Sequence, residues 1–137
     1  DRKKDIIVNA GGDNISPSRI EEKLDIEPEI SQSMLYGDFK NYLVAIIVPD
    51  KENALLWAKD NNKNANLSEI IKDENLIKKI KEVTTKVNKK LSSIEQVRKF
   101  ILLDHEFTID NNMMTPTMKV KRYKVKNLYE EQLENLY

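Results

Sequence analysis

The fold of this chain is decided by its opening stretch, DRKKDIIVNAGGDNISPSRIE (residues 1–21). The β-branched run Ile6–Val8 is too short for a helix and predicts a strand. Gly11 and Gly12 tolerate positive φ and precede two turn-forming residues, so a turn is expected there. Ser16 fits a helix N-cap, and Pro17 fits the first helical position, where a missing N–H costs nothing. The stretch therefore predicts a strand, a glycine turn and a helix.

Hydrophobic patterning outside this stretch predicts more strands and helices. The further strands are Ile30–Tyr36, Tyr42–Val48 and Val97–Leu103, and the helices are Pro17–Leu24, Asn53–Asn61, a short one opening at Asn66, Asp73–Leu91 and Lys124–Tyr137. The run Tyr42–Val48 has no polar alternation, which predicts a central strand covered on both faces and paired in a hairpin with the strand before it. We expect an α+β fold with a small mixed or antiparallel sheet flanked by helices.

The two longest predicted helices are amphipathic. The inward stripe of the first comprises Leu76, Ile77, Ile80, Val83, Thr84, Val87 and Leu91, and the final helix offers Leu128, Leu133 and Leu136. Such stripes usually cover the chain's own sheet, although the first could also bind a partner helix. The lysines on the outer surface of the first helix, from Lys78 to Lys90, are accompanied by Glu74 and Glu82 and predict a solvated surface.

Composition excludes several classes of site. The 137 residues suit one domain, and Lys+Arg and Asp+Glu number 23 each, so the chain has no overall basic field for nucleic acid. It has no cysteine, which excludes disulfides and fits the cytoplasm, and no apolar run of membrane-spanning length. The single histidine, His105, cannot form a metal cluster by itself. It lies in the triplet Asp104-His105-Glu106, whose neighbouring side chains would point to opposite sides of a strand, so we expect a structural role.

A second motif, TPTMKVKR (residues 115–122), precedes the final helix. Its proline and threonines predict a defined loop with Lys119 at the tip. A lysine ammonium in that position can enter a phosphate-bearing cleft and stabilise charge that develops in a transition state. The alternative is that Lys119 belongs only to a basic patch that binds RNA or anionic lipid; that patch would be Lys119, Lys121, Arg122, Lys124 and Lys126.

Together with YLVAIIVPD (residues 42–50), these two motifs resemble the C-terminal domain of adenylate-forming, or AMP-binding, enzymes. That superfamily includes acyl-CoA synthetases, luciferases and the adenylation domains of peptide synthetases. The resemblance covers residues 1–137 and is greatest to the long-chain fatty acid–CoA ligases. Many members have glycine before the catalytic lysine, where this chain has Met118. The resemblance implies one mobile C-terminal lid domain that starts at the interdomain hinge, with the large N-terminal domain outside this chain.

The resemblance also implies roles for individual residues. Lys119 would be the catalytic lysine, Arg2 would face the nucleotide, and Lys4 would be the hinge. Gly11 and Gly12 would form the loop that faces the pantetheine arm of CoA. No metal ligand is expected in this chain.

The activity implied is a ligase (AMP-forming) that makes an acyl-adenylate and then a thioester. ATP, Mg²⁺ and CoA would be used by the full-length enzyme, none would be bound by this chain, and the chain would be inactive alone. Its partners would be the N-terminal adenylation domain, the fatty acid and CoA, with no nucleic acid and with peripheral membrane contact as a further expectation. The alternatives are the basic-patch binding module and a structural interaction domain that uses residues 73–91.

Overall fold

The computed structural model describes residues 5–137. Its strands are β1 (Ile7–Val8), β2 (Asn14–Ile15), β3 (Ile30–Tyr36), β4 (Leu43–Pro49) and β5 (Val97–Leu102). Its α-helices are α1 (Pro17–Asp25), α2 (Lys51–Asp60), α3 (Leu67–Ile70), α4 (Glu74–Asn88) and α5 (Arg122–Glu134), with a 3₁₀ turn at Ser93–Glu95. The α+β prediction is confirmed.

The main sheet has the order β3-β4-β5. β3 and β4 are antiparallel, whereas β4 and β5 are parallel, so the sheet is mixed as predicted. All seven residues of β4 are buried, because the strand lies in the middle of the sheet and side chains leave it alternately toward two covered faces. The predicted central position of this strand is confirmed.

Two hydrophobic cores lie on opposite faces of the sheet. The first packs α1 and α4 on one face through residues such as Ile20, Leu24 and Ile80. The second packs α5 and the segment before it on the other face, with Phe107, Val125 and Leu133 fully or almost fully buried. The segment that contains Lys119 therefore approaches the sheet from the α5 side.

The first prediction, a strand followed by a turn and a helix, missed one strand. β2 pairs antiparallel with β1, with Ile7 opposite Ile15 and Val8 opposite Asn14. Residues 7–15 therefore form a small hairpin, which we call the glycine hairpin. Gly12 has φ +84°, a conformation that L side chains adopt only with strain, so the turn itself requires a glycine here.

Several predicted boundaries and inward-facing residues are wrong. Helix α2 begins at Lys51 because Asp50 caps it, its carboxylate accepting from the Asn53 N–H at 2.9 Å. Helix α4 ends at Asn88, and Ile77 lies at the edge of its buried stripe with 37% of its surface exposed. The rest of that stripe packs inside the chain, so it is not available to a partner helix.

The prediction for the last helix is wrong at both ends and at one residue. α5 begins at Arg122 and ends at Glu134. Its packed line runs through Val125, Tyr129 and Leu133, which are spaced four residues apart. Leu128 falls outside that line and is 60% exposed. The predicted inward position of Leu133 is confirmed.

None of the helices described in residues 5–137 is long and apolar enough to cross a bilayer.

Candidate functional site

Lys119 lies in a short hairpin loop that its own backbone closes. The loop is bounded by an antiparallel bridge between Met114 and Val120. Thr115 N–H donates to the Lys119 carbonyl at 2.8 Å, and the Thr115 hydroxyl oxygen accepts from the Lys119 N–H at 3.1 Å. Thr115 also accepts from the Met118 N–H at 2.8 Å, through its backbone carbonyl. The backbone of Lys119 is thus fixed while its side chain is exposed. The predicted place at the loop tip is wrong, because residues 116–118 form the turn and Lys119 pairs with Thr115 where the loop closes.

Met118 has a left-handed backbone, with φ +64°, and is 64% exposed. Glycine adopts this conformation without strain, whereas a side chain makes it unfavourable. The position at which many adenylate-forming enzymes have glycine therefore has the backbone that favours glycine. Met118 thus adopts the backbone conformation that glycine would adopt at this position, and its side chain makes that conformation strained.

The Lys119 loop forms one wall of a cleft of about 740 Å³ between the start of α5 and the end of β3. Tyr36, Asp38 and the exposed Tyr123 are among the residues that line it. The lining also includes five cations, which are Lys119, Lys121, Arg122, Lys124 and Lys126. The predicted basic patch is therefore a concave surface large enough to hold a phosphate-bearing group.

The five cations of this cleft are not equivalent. Arg122 forms a bidentate ion pair with Glu21 of α1, and Lys126 lies 3.4 Å from Asp38. Lys121 donates to the Asn112 side-chain oxygen at 2.6 Å. Within residues 5–137, Lys119, Lys121 and Lys124 have no ion pair, so their charge remains available to an anionic ligand. The basic patch therefore contains cations that are paired with carboxylates and cations that are not. It is not a uniform electrostatic surface.

The glycine hairpin is fixed to the turn between β3 and β4. Ala10 N–H donates to the Lys40 carbonyl at 2.9 Å, and Phe39 N–H donates to the Val8 carbonyl at 2.8 Å. Gly11 is exposed, and a Cβ built on it would lie 3.5 Å from its nearest neighbours, an ordinary contact. Nothing within the described fold therefore requires glycine at position 11, in contrast to Gly12.

Phe39 is a candidate residue that the sequence reasoning missed. It has φ +61° and is 78% exposed, so its ring contributes little to the core and its backbone is strained. The other left-handed residues besides glycine within residues 5–137 are Asn62, Asn112 and Met118. Asparagine tolerates this conformation, which leaves the two bulky residues, and each adjoins one of the two loops discussed here. The sequence signal was an aromatic residue inside a polar turn.

His105 has the structural surroundings that we expected. Its ring nitrogens lie 2.9 Å from Asp104 Oδ1 and 3.0 Å from the Tyr129 hydroxyl, which ties the segment after β5 to α5. The triplet is not part of a strand, however, because β5 ends at Leu102 and the triplet follows in a turn. None of these residues lines the cleft. Among residues 5–137 there is no group of three or more His, Cys, Asp or Glu side chains that could hold a metal ion.

The model of the AMP-binding enzyme C-terminal domain family matches residues 4–137. This chain belongs to that family. As a member of the AMP-binding C-terminal domains, it is 39% identical over 99% of its length to the long-chain-fatty-acid–CoA ligase FadD15 of Mycobacterium tuberculosis. It is 34% identical over 100% of its length to long-chain-fatty-acid–CoA ligase 1 of Homo sapiens. It spans only 23% and 20% of those proteins.

The structure is also similar to crystal structures of adenylating enzymes. The crystal structure of the adenylation domain of a carboxylate reductase from Mycobacterium chelonae matches with a TM-score of 0.83 and 30% identity. The match covers 100% of this chain and 20% of that one.

The structure separates the predicted site residues of this AMP-binding C-terminal domain into two groups. Lys119 lines the cleft, whereas Gly11 and Gly12 do not and lie instead on the glycine hairpin. Gly11 and Gly12 therefore lie outside the cleft, although Ile7, in the first strand of the same hairpin, lines it. Arg2 and Lys4 lie outside the described residues, so their predicted contacts with the nucleotide and at the hinge stay predictions.

Proposed function

We propose that this chain is the mobile C-terminal domain of an ATP-dependent long-chain fatty acid–CoA ligase, and that it is inactive in isolation. The observation that carries the proposal is Lys119, an exposed cation with no ion pair within residues 5–137, held by its backbone at the edge of a large cleft. The ligases that are 34–39% identical to the whole chain support the choice of substrate class.

In the first half-reaction, a fatty acid carboxylate attacks the α-phosphate of ATP, and acyl-adenylate and pyrophosphate are formed. Lys119 would contact the reacting carboxylate and phosphate oxygens, where negative charge is concentrated. Such a contact is strongest when the closed domain excludes water from the site. ATP and Mg²⁺ would be held mainly by the N-terminal adenylation domain, with Arg2 facing the nucleotide.

In the second half-reaction, the thiol of CoA attacks the acyl carbon and AMP leaves. The domain would rotate about Lys4, withdraw Lys119 and bring the glycine hairpin to the pantetheine arm. The fold supports this role for Gly11, because packing within the described residues does not explain why the position lacks a side chain. The exposed ring of Phe39, hydrogen-bonded through its backbone to the hairpin, would contact the same arm.

A test of the catalytic lysine compares Lys119→Ala with Lys124→Ala in the full-length enzyme. Both residues line the cleft and have no ion pair within residues 5–137, so the two variants remove equivalent charges. Lys119→Ala should slow release of pyrophosphate by about 10²–10³, the usual effect of losing one preorganised charge contact. Thioester formation from supplied acyl-adenylate should be retained. Equal, modest losses in both variants would favour the basic-patch alternative for RNA or anionic lipid.

A second candidate function is an adenylation enzyme whose thiol acceptor is carried by a protein. The similarity to the A-PCP didomain of a carboxylic acid reductase, at 30% identity over the whole chain, favours it. Both candidates share the first half-reaction and differ in the acceptor. Formation of acyl-CoA from free CoA by the full-length enzyme would support the ligase, and adenylation without transfer to free CoA would support the second candidate. We also propose that the ligase is cytoplasmic and makes peripheral contact with a membrane.

A further inference from the structure

One buried carboxylate joins three elements of the fold. Glu21 of α1 accepts from the Leu35 N–H of β3 at 2.8 Å. Its two oxygens also accept from the two terminal nitrogens of Arg122, the first residue of α5, one of them at 2.6 Å. Glu21 and Arg122 are 101 residues apart in sequence. The contact therefore holds the start of α5 against both α1 and the sheet.

The surroundings of this ion pair make its geometry specific. The side chains of Glu21 and Arg122 are only 10% and 21% exposed. Burial raises the pKa of Glu21, while its bonds with Arg122 and Leu35 oppose that change. Burial disfavours the charged guanidinium, but the hydrogen bond and charge of Glu21 outweigh it and raise the pKa of Arg122. Because both side chains are largely removed from solvent, the bidentate contact gives each charge a partner of opposite sign.

Arg122 lies three residues after Lys119, and the two residues between them are held in place by pairing with the preceding strand segment. Val120 pairs with Met114, and the Lys121 N–H donates to the Met113 carbonyl at 2.7 Å. A movement of Arg122 would therefore pass directly to the Lys119 loop. A displacement of about 1 Å can cost about 10² in the rate of a reaction that depends on such alignment.

We propose that Glu21 is a positioning residue for Lys119, acting through Arg122 to set where the lysine stands when acyl-adenylate forms. The inference rests on the proposed function, since it concerns the same half-reaction. The glycine hairpin does not depend on this pair in the same way. It is held to the turn between β3 and β4 by backbone bonds of Ala10 and Phe39 and by the Val8 N–H, which donates to Asp38 at 3.2 Å.

The test uses Arg122→Lys in the full-length enzyme, because lysine keeps the charge but cannot form the bidentate contact. Pyrophosphate release should fall by about 10–10², with the loss in kcat and not in the KM for ATP or fatty acid. Thioester formation from supplied acyl-adenylate should stay within about twofold. A merely structural pair would reduce both half-reactions by the same factor, in proportion to the loss of folded enzyme.

The matched control is Arg19→Lys. Arg19 also lies on α1 and forms an ion pair, with Glu95 at 2.9 Å, but that pair is more exposed and far in sequence from the Lys119 loop. The Arg19→Lys variant should carry out both half-reactions at the original rates. Glu21→Gln is the second variant. Its amide oxygen can still accept one hydrogen bond from Leu35 or Arg122, but the guanidinium loses its counter-charge, so this variant should give the same selective loss.

The results separate the two ideas. If the unmodified enzyme released no pyrophosphate with any fatty acid, the proposed function would fail. If it did release pyrophosphate while Arg122→Lys and Glu21→Gln, both folded by circular dichroism, adenylated at the normal rate, the positioning role alone would be refuted. Should Arg122→Lys not fold, the rates of Glu21→Gln decide.

Discussion

Strain at Met118 can be measured by comparing two substitutions at the same position, Met118→Gly and Met118→Ala. Both remove the same side-chain contacts, so the difference between them isolates the backbone. Left-handed φ costs a residue with a Cβ about 1–2 kcal/mol, a cost that alanine retains and glycine does not. Glycine loses about 0.4–1 kcal/mol of this advantage because it makes the unfolded chain more flexible. Met118→Gly should therefore be more stable than Met118→Ala by about 0.5–1 kcal/mol.

The sign of this difference is the informative result, since alanine is the more stable of the two at ordinary positions. Thermal unfolding of the 137-residue chain should show it. For a domain of this size the gap corresponds to about 2–4 °C in Tm. In the full-length enzyme, Met118→Gly should also keep adenylation closer to the original rate, because it retains the left-handed backbone that aims Lys119. If Met118→Ala were the more stable variant, the reasoning that the loop is strained at this position would be refuted.

Three further predictions concern Phe39, the core beneath α5 and the carboxyl group of Asp25. Phe39→Ala in the full-length enzyme should slow thioester formation while leaving pyrophosphate release unchanged. If thioester formation by the variant were as fast as in the original enzyme, Phe39 would not belong to the CoA-facing surface. Val125→Ala should destabilise the chain by about 2 kcal/mol in urea unfolding, since Val125 is fully buried, whereas Leu128→Ala should stay within about 0.5 kcal/mol. Burial raises the pKa of Asp25 to about 6 from 3.8, so the folded state binds a proton more readily and stability falls as pH rises between about 4 and 6. Asp25→Asn should remove that fall, and parallel pH–stability curves for the variant and the original chain would contradict the assignment.

Local sequence signals predicted the elements whose causes lie within a few residues. Ser16 and Pro17 marked the start of α1, and the unbroken apolar run in residues 42–48 marked a central strand. The same kind of signal predicted a defined loop after Thr115, although Lys119 lies where Thr115 closes that loop and not at its tip. In these cases the residues that determine the structure are neighbours in the chain, so their pattern is sufficient.

Signals failed where the deciding contact was elsewhere in the fold. β2 has only two residues and was missed because its partner strand, rather than its own propensity, makes it a strand. Leu128 was assigned to the core because the sequence shows three leucines, whereas the packed line of α5 passes through Val125 and Tyr129. The phase of a helix relative to the sheet depends on how its side chains fit the surface that it covers, and the spacing of leucines does not show that fit.

The sequence by itself determined the family, the order of most elements and the two motifs of the proposed site. Only the tertiary structure decided which cations of the basic patch are available, because Glu21 and Asp38, which neutralise Arg122 and Lys126, lie far from them in sequence. It also decided that Gly12 is required by the backbone and Gly11 is not. The physical reason is that charge pairing and steric space depend on which groups meet in three dimensions, and residues a hundred positions apart become neighbours only when two cores close on a shared sheet.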